Sequence, residues 1–211
     1  IKNNLSFRIN QIIKRIFDVV LTLGGGLFLL PLFIGICVWI KTDSQGPAIY
    51  KQRRVGKDGK EFDCYKFRSM VVDSKERLEK LLATDPKAKE EWERDFKLKN
   101  DPRITKSGAF LRKTSLDELP QLLNVLKGEM SLVGPRPIVQ KEVPRYEQYI
   151  KEYYMVLPGI TGLWQVSGRS DTTYPERVAM DMWYVHNWSV WLDLVLLWRT
   201  VAAVIQSRGA Y

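Results

Sequence analysis

The chain has 211 residues, 45% of them hydrophobic, enough for one domain or one and a half with a real core. Lysine and arginine number 33 against 24 acidic residues; the formal charge of +9 calls for an anionic partner, whether nucleic acid, anionic lipid or a phosphorylated substrate. Two cysteines exclude a disulfide framework, a single histidine disfavours a zinc site or a serine–histidine hydrolase, and the lack of zinc-finger spacing, basic-zipper heptads or an RNA-recognition signature makes nucleic acid the weakest of the three partners.

The chain begins at Ile1 rather than methionine, so a preceding segment is expected. Residues 1–15 are polar and basic. Ile16 to Ile40, about 25 residues, is long enough to cross a bilayer. A cleaved signal peptide is disfavoured by that length. Asp18 is its only charge, and Arg15, three residues earlier, is placed to pair with it on one helix face. Pro31 is expected to kink the run. Basic residues flank both ends: Lys14 and Arg15 before, Lys41, Lys51, Arg53, Arg54 and Lys57 after. Basic flanks prefer the cytoplasmic side, so a re-entrant helix–break–helix is favoured over a straight span, and a buried soluble helix comes third.

From Ser44 the pattern turns globular. Ala48 to Gln52 and Glu61 to Phe67 read as strands of a hairpin around Lys57-Asp58-Gly59-Lys60. Lys66, Arg68, Arg53 and Arg54 ride on or beside it, equally a binding face or a solvated one. Asp73 to Leu82 is an amphipathic helix. A second helix runs from Asp85-Pro86 to about Lys99, with Trp92 and Phe96 as its packing face. This helical pair reads as structural decoration.

The chain is organised around Ser115-Leu116-Asp117-Glu118-Leu119-Pro120. Ser115 and Glu118 have the spacing of a capping box. A helix start nearer Asp117 instead puts Pro120 in the first turn and the carboxylate at the positive end of the helix dipole, which would keep it ionised. Both readings stand on these residues alone. Gly128 reads as the helix stop. A stiff loop, Gly134-Pro135-Arg136-Pro137, follows. Tyr146 to Tyr154 is rich in tyrosine, and Pro158 to Arg169 is punctuated by glycines that suit a close approach to ligand or simple turns. Trp188 to Ile205 is apolar apart from Asp193 and Arg199. Its tryptophans suit a helix lying in the headgroup layer; a buried core helix is the alternative.

Lys14-Arg15-Ile16-Phe17-Asp18, Tyr65 to Met70, Ser115 to Pro120 running into Asn124 to Gly128, Ser131 to Pro137 and Pro158 to Gly162 together resemble the bacterial sugar transferases, the monotopic phosphoglycosyl transferases. They cover nearly the whole chain in family order. The resemblance implies an α+β fold, mostly helical, with a re-entrant N-terminal membrane helix, a small β-hairpin and interfacial amphipathic helices. It divides the chain into a membrane hairpin (1–43) and a catalytic unit (44–211) on the cytoplasmic face of the bacterial inner membrane.

It further implies transfer of a hexose-1-phosphate, galactose ahead of glucose, from a UDP-hexose to undecaprenyl phosphate, releasing UMP at the first membrane step of surface polysaccharide synthesis. Asp117 would be the nucleophile and carry a phosphosugar intermediate. Mg2+ would bind near Glu118, with Asp117 the second carboxylate. Lys66, Arg112 and Arg136 match family phosphate-binding positions, and Arg169 is a weaker match. Leu157 stands where many small relatives carry a base, so another cation must serve here. Large members imply a homodimer. The mechanism suits a chain with one histidine, since phosphoryl transfer needs positioned cations more than acid–base groups. Two readings compete: a membrane-surface module gripping anionic lipid without catalysis, and direct transfer with Asp117 only as metal ligand.

Overall fold

A computed structural model of the chain describes residues 4–95, 98, 100–167 and 172–205. The fold is α+β and mostly helical. Helix α1 (Arg8–Asp43) is 36 residues long, with Pro31 inside it. At 1.5 Å per residue it extends about 54 Å. The expected break is therefore absent from the helical pattern. A proline deletes one N–H bond and crowds one carbonyl, a local cost that intact turns on either side absorb.

Both ends of α1 dock on the rest of the protein. Lys14, Asp18 and Thr22, one turn apart in series, are buried. The Lys14 ammonium lies 2.6 Å from Asp193, which also accepts from the Tyr184 hydroxyl at 2.6 Å and the Trp188 indole at 3.1 Å. Arg15 donates to the carbonyls of Val125 and Leu126, and Asp18 accepts from the Leu132 N–H at 3.1 Å. The expected Arg15–Asp18 pair is thus replaced by two contacts to backbone elsewhere, because each side chain faces an element that offers unsatisfied peptide groups. At the other end, Ile36 and Ile40 pack with Ala48, Phe67 and Leu111. Between these anchors the helix stands clear: Phe28 is 85% exposed and Leu27 75%.

Strands β1 (Ile49–Val55) and β2 (Glu61–Phe67) form the antiparallel hairpin, in register Val55↔Glu61 to Ile49↔Phe67. Asp58 and Gly59 turn it at φ 59° and 70°, a conformation that Asp and Gly tolerate best. Alternation decides which side chains face inward. Phe62, Cys64 and Lys66 share one face of β2, opposite Arg54, Gln52 and Tyr50 of β1. Helices α2 (Ser74–Thr84) and α3 (Pro86–Asp95) follow. Phe96, expected on the packing face of α3, lies outside the described residues.

Helix α4 (Lys106–Thr114) leads through a 3₁₀ turn (Leu116–Glu118) to α5 (Gln121–Lys127), which stops at Gly128 with φ 82°. Strand β3 (Ser131–Val133) pairs in parallel with β4 (Gly159–Thr161) after a crossover containing α6 (Ile150–Tyr154). A Cβ added at Gly159 would stand 2.1 Å from the Gly134 nitrogen, and one at Gly162 2.5 Å from the Gly134 carbonyl oxygen. These glycines let two backbones meet, rather than a backbone and a ligand. Helices α7 (Leu163–Ser167), α8 (Tyr174–Asn187) and α9 (Val190–Ile205) complete the fold. Helix α9 has two unlike faces. Asp193 and Leu196 point into the core, while Trp191, Leu194, Trp198 and Val201 form an exposed apolar stripe.

Candidate active site

The site grows out of the α4–α5 junction. Asp43, the last residue of α1, accepts from the N–H and hydroxyl of Ser107 at 2.9 and 2.8 Å and so fixes the start of α4. Thr105 caps that helix by accepting from Gly108 N–H at 3.0 Å. Leu111 is wholly buried and holds the last turns in place. At Ser115 the backbone swings into the left-handed region, φ 57°, and the chain reverses through the 3₁₀ turn carrying Asp117 and Glu118. The capping box does not form: the Ser115 side chain makes no cap, and Glu118 turns to Lys66 at 2.7 Å. Nor does the α-helix begin at Asp117, which sits in the 3₁₀ turn ahead of it. Pro120 takes the N-cap position and α5 starts at Gln121, the first place where a proline already behind the chain costs no N–H bond.

Around that turn the structure brings together Lys66, Glu118 and Arg136, which line one narrow cleft; Asp117 and Arg112 lie next to it and are not part of its lining. Arg112 is tethered through its Nε to the Ser69 hydroxyl at 2.9 Å, and its charge reaches Asp117. The Arg136 guanidinium lies over the Trp164 ring, 5.6 Å from its centroid. Arg169 lies outside the described residues.

Burial pushes the Asp117 carboxyl up to about 6; Lys66 pulls the other way, Glu118 adds to the rise, and Arg112 opposes it. The expected protection of its charge by a helix dipole is therefore corrected. Asp117 precedes the helix, and loss of water outweighs what remains. It is still mostly ionised at neutral pH. Burial also works against the Glu118 carboxylate, but the Lys66 charge and hydrogen bond outweigh it and hold the group below its ordinary value. Lys66 shows the reciprocal balance: burial lowers it, and Glu118 and Asp117 more than restore it.

Three side chains at or behind the cleft escaped the sequence reading in that role. Arg54 lines the same cleft, donating to the Pro137 carbonyl at 3.1 Å and to Gln52 at 2.9 Å. Strand alternation was the available signal, since Arg54 sits opposite Phe62 on the inner face. Tyr153, from the tyrosine-rich segment, donates to the Val55 carbonyl at 2.8 Å and receives the Ile138 N–H at 3.3 Å. It thereby clamps the Pro135–Pro137 loop to β1. Asp181 is buried, accepts from the Tyr146 hydroxyl at 2.8 Å and from the Arg136 backbone, and is pushed up by burial to about 8. It holds the same loop from α8. No sequence pattern marked it.

A carboxylate next to a lysine-paired glutamate, with arginines lining the adjoining cleft, is an arrangement able to handle phosphate esters. Comparison with known families agrees, with a match to "Bacterial sugar transferase" over residues 9–207. The chain belongs to the bacterial sugar transferase family. It is 57% identical over its full length to the undecaprenyl-phosphate galactose phosphotransferase of Salmonella typhimurium. It is 54% identical, again over its full length, to the UDP-galactose-lipid carrier transferase of Erwinia amylovora. Over 96% of the chain it is 40% identical to the UDP-glucose:undecaprenyl-phosphate glucose-1-phosphate transferase of Escherichia coli. The chain spans 44% of the length of the first two relatives and 42% of the third. Helix α1 is long and apolar enough to cross a membrane.

Proposed function

We propose that the chain transfers a hexose-1-phosphate, galactose in preference to glucose, from a UDP-sugar to undecaprenyl phosphate. The observation that carries this is the Lys66–Glu118 pair beside Asp117, facing Arg54 and Arg136 across one cleft. A lipid-binding module would have no use for such a site. The galactose preference leans on the two nearer relatives named above.

In the first step an Asp117 carboxylate oxygen attacks the sugar-bearing phosphorus. A phosphorus–oxygen bond forms, the bond to the UMP phosphate breaks, and UMP leaves with that electron pair. In the second step an oxygen of the lipid phosphate attacks the same phosphorus and frees Asp117. The product is a lipid-linked pyrophosphoryl sugar. Lys66, Arg112 and Arg136 hold phosphate oxygens through both steps, worth far more in a cleft than in open water. With Leu157 uncharged, Arg54 is the further cation within reach of the pyrophosphate.

Among the described residues no group of three potential metal ligands occurs. The two adjacent carboxylates fit a magnesium ion of the kind completed by substrate phosphates and water. Held by Glu118 and Asp117, Mg2+ would supply charge neutralisation of the pyrophosphate. Helix α1 docks at both ends and stands clear between them; a bend at Pro31, where one backbone bond is already missing, would let its middle dip into one leaflet while both ends stay on the cytoplasmic face. The exposed stripe of α9 suits the headgroup layer. Such a monotopic arrangement would bring the cleft to the level of a lipid phosphate.

The test is UMP release from a panel of UDP-sugars with undecaprenyl phosphate and Mg2+. Release is expected with UDP-galactose, together with an Asp117-linked phosphosugar detectable by mass spectrometry when lipid is withheld. Kinetics that demand a ternary complex, with no adduct, would overturn the covalent step. Full activity in Asp117→Asn would remove Asp117 from the mechanism.

A further inference from the structure

Helix α5 carries two buried side-chain amides three residues apart, and they are in opposite states. Asn124 is fully buried and saturated. It donates to the Asp63 carbonyl and to Glu129, both at 2.7 Å, and accepts from the Tyr65 N–H at 3.0 Å. Its work is structural, tying α5 to β2. Gln121 is 3% exposed, yet its amide makes no hydrogen bond to any described residue. Its polar atoms are not sealed in the core. They open on the cleft lined by Lys66, Glu118 and Arg136.

Buried amides are normally hydrogen-bonded. One held without a partner on the lining of a cleft is placed to meet a ligand. The ligand's chemistry follows from what the cleft already offers. Phosphate oxygens only accept hydrogen bonds, and Lys66, Arg54 and Arg136 supply donors for them. An amide donates and accepts at once, which matches a hydroxyl group. Gln121 lies one helical turn beyond Glu118, whose neighbour Asp117 attacks the sugar-bearing phosphorus. The nearest neutral donor-and-acceptor groups there are the hydroxyls of the sugar.

We infer that Gln121 is a specificity-determining residue that reads one hydroxyl of the donor hexose. This rests on the transfer reaction proposed above. A site that hydrogen-bonds a hydroxyl discriminates strongly against the analogue lacking it, because the buried amide is then stranded.

The test compares the full chain with Gln121→Met, which keeps the side chain's bulk and removes both hydrogen-bonding atoms. UMP release is measured from UDP-galactose and from analogues missing one hydroxyl each, and UMP is used as a competing ligand. The wild type is expected to disfavour one deoxy donor by roughly 100-fold in kcat/KM. Gln121→Met should shrink that ratio to about threefold or less, with the affinity for UMP unchanged. An unchanged ratio, an equal loss for every donor, or weakened UMP binding would overturn the inference; the last would assign the amide to the uracil. If the methionine variant does not fold, Gln121→Glu is read by the same ratio. A wild type silent with every donor would overturn the transfer reading as well, whereas an active wild type indifferent to Gln121 overturns this inference alone.

Discussion

Asp117 sits where burial opposes its charge and Lys66 supports it, and this tension makes the residue measurable. Its folded value, about 6, lies above the unfolded 3.8. The folded protein therefore binds a proton that the unfolded chain has already lost. The associated stability is fully present below about pH 4 and is lost as pH rises through about 6. At pH 7 the ionised carboxylate is a net cost. Asp117→Asn should abolish UMP release while raising stability at pH 7 by about 1 kcal/mol, allowing for the water that still reaches the group. That gain should vanish below about pH 4. Denaturant titration at the two pH values checks it; equal gains at both would assign the effect elsewhere. Turnover in the wild type should fall as pH drops through about 6. Lys66→Met removes the cation that restrains both carboxyls, so its acid limb should shift to higher pH and its kcat/KM fall by about 100-fold.

At the level of elements, small residues and buried charges do separate jobs. The α1 glycines Gly24, Gly25 and Gly26 have open space where a Cβ would go, whereas Gly159 has the Gly134 nitrogen at 2.1 Å. Gly24→Ala should leave the fold intact and stabilise it by about 0.5–1 kcal/mol, since alanine is the better helix former. Gly159→Ala must separate β3 from β4 and should cost about 3 kcal/mol. Thermal unfolding of the two variants, read side by side, tests the contrast. The Lys14–Asp193 pair, 2.6 Å apart and nearly dry, joins the first long helix to the last. Asp193→Ala strands a buried ammonium and should cost about 3–5 kcal/mol. Replacing both partners with Met and Leu should recover most of that loss. Failure to recover would mean that Tyr184 and Trp188, which also bond Asp193, matter more than the charge.

At the scale of the whole molecule, α1 has two anchors on one body with an exposed apolar middle. Residues at its two ends should therefore lie on the same side of a membrane. Cysteines placed at positions 8 and 44, in a background lacking Cys37, should both resist an impermeant thiol reagent applied outside intact cells. Labelling of either one would mean that the helix spans. Trp191→Ser with Trp198→Ser should weaken vesicle binding without touching the cleft, because both side chains point outward, at 73% and 74% exposure. Unchanged binding would give α9 no part in the membrane contact.

Local patterns, read without coordinates, determined much of this protein. The hairpin, the stop at Gly128 and the long apolar helix are legible because strand alternation, left-handed glycine and continuous apolar length act within a few residues of chain. Four points had to wait for tertiary structure. Glu118 reached for Lys66, 52 positions away, instead of capping with Ser115, because a half-buried ammonium is a stronger partner than a peptide N–H. Arg15 and Asp18 each found distant backbone instead of one another. The glycines of 159–162 proved to serve strand against strand. Gln121 and Asn124, both side-chain amides on α5, differ because β2 supplies partners to one and the cleft supplies none to the other. Chemistry close along the chain is written in the sequence; which charges lose their water, and beside whom, is settled only when separate elements close around them.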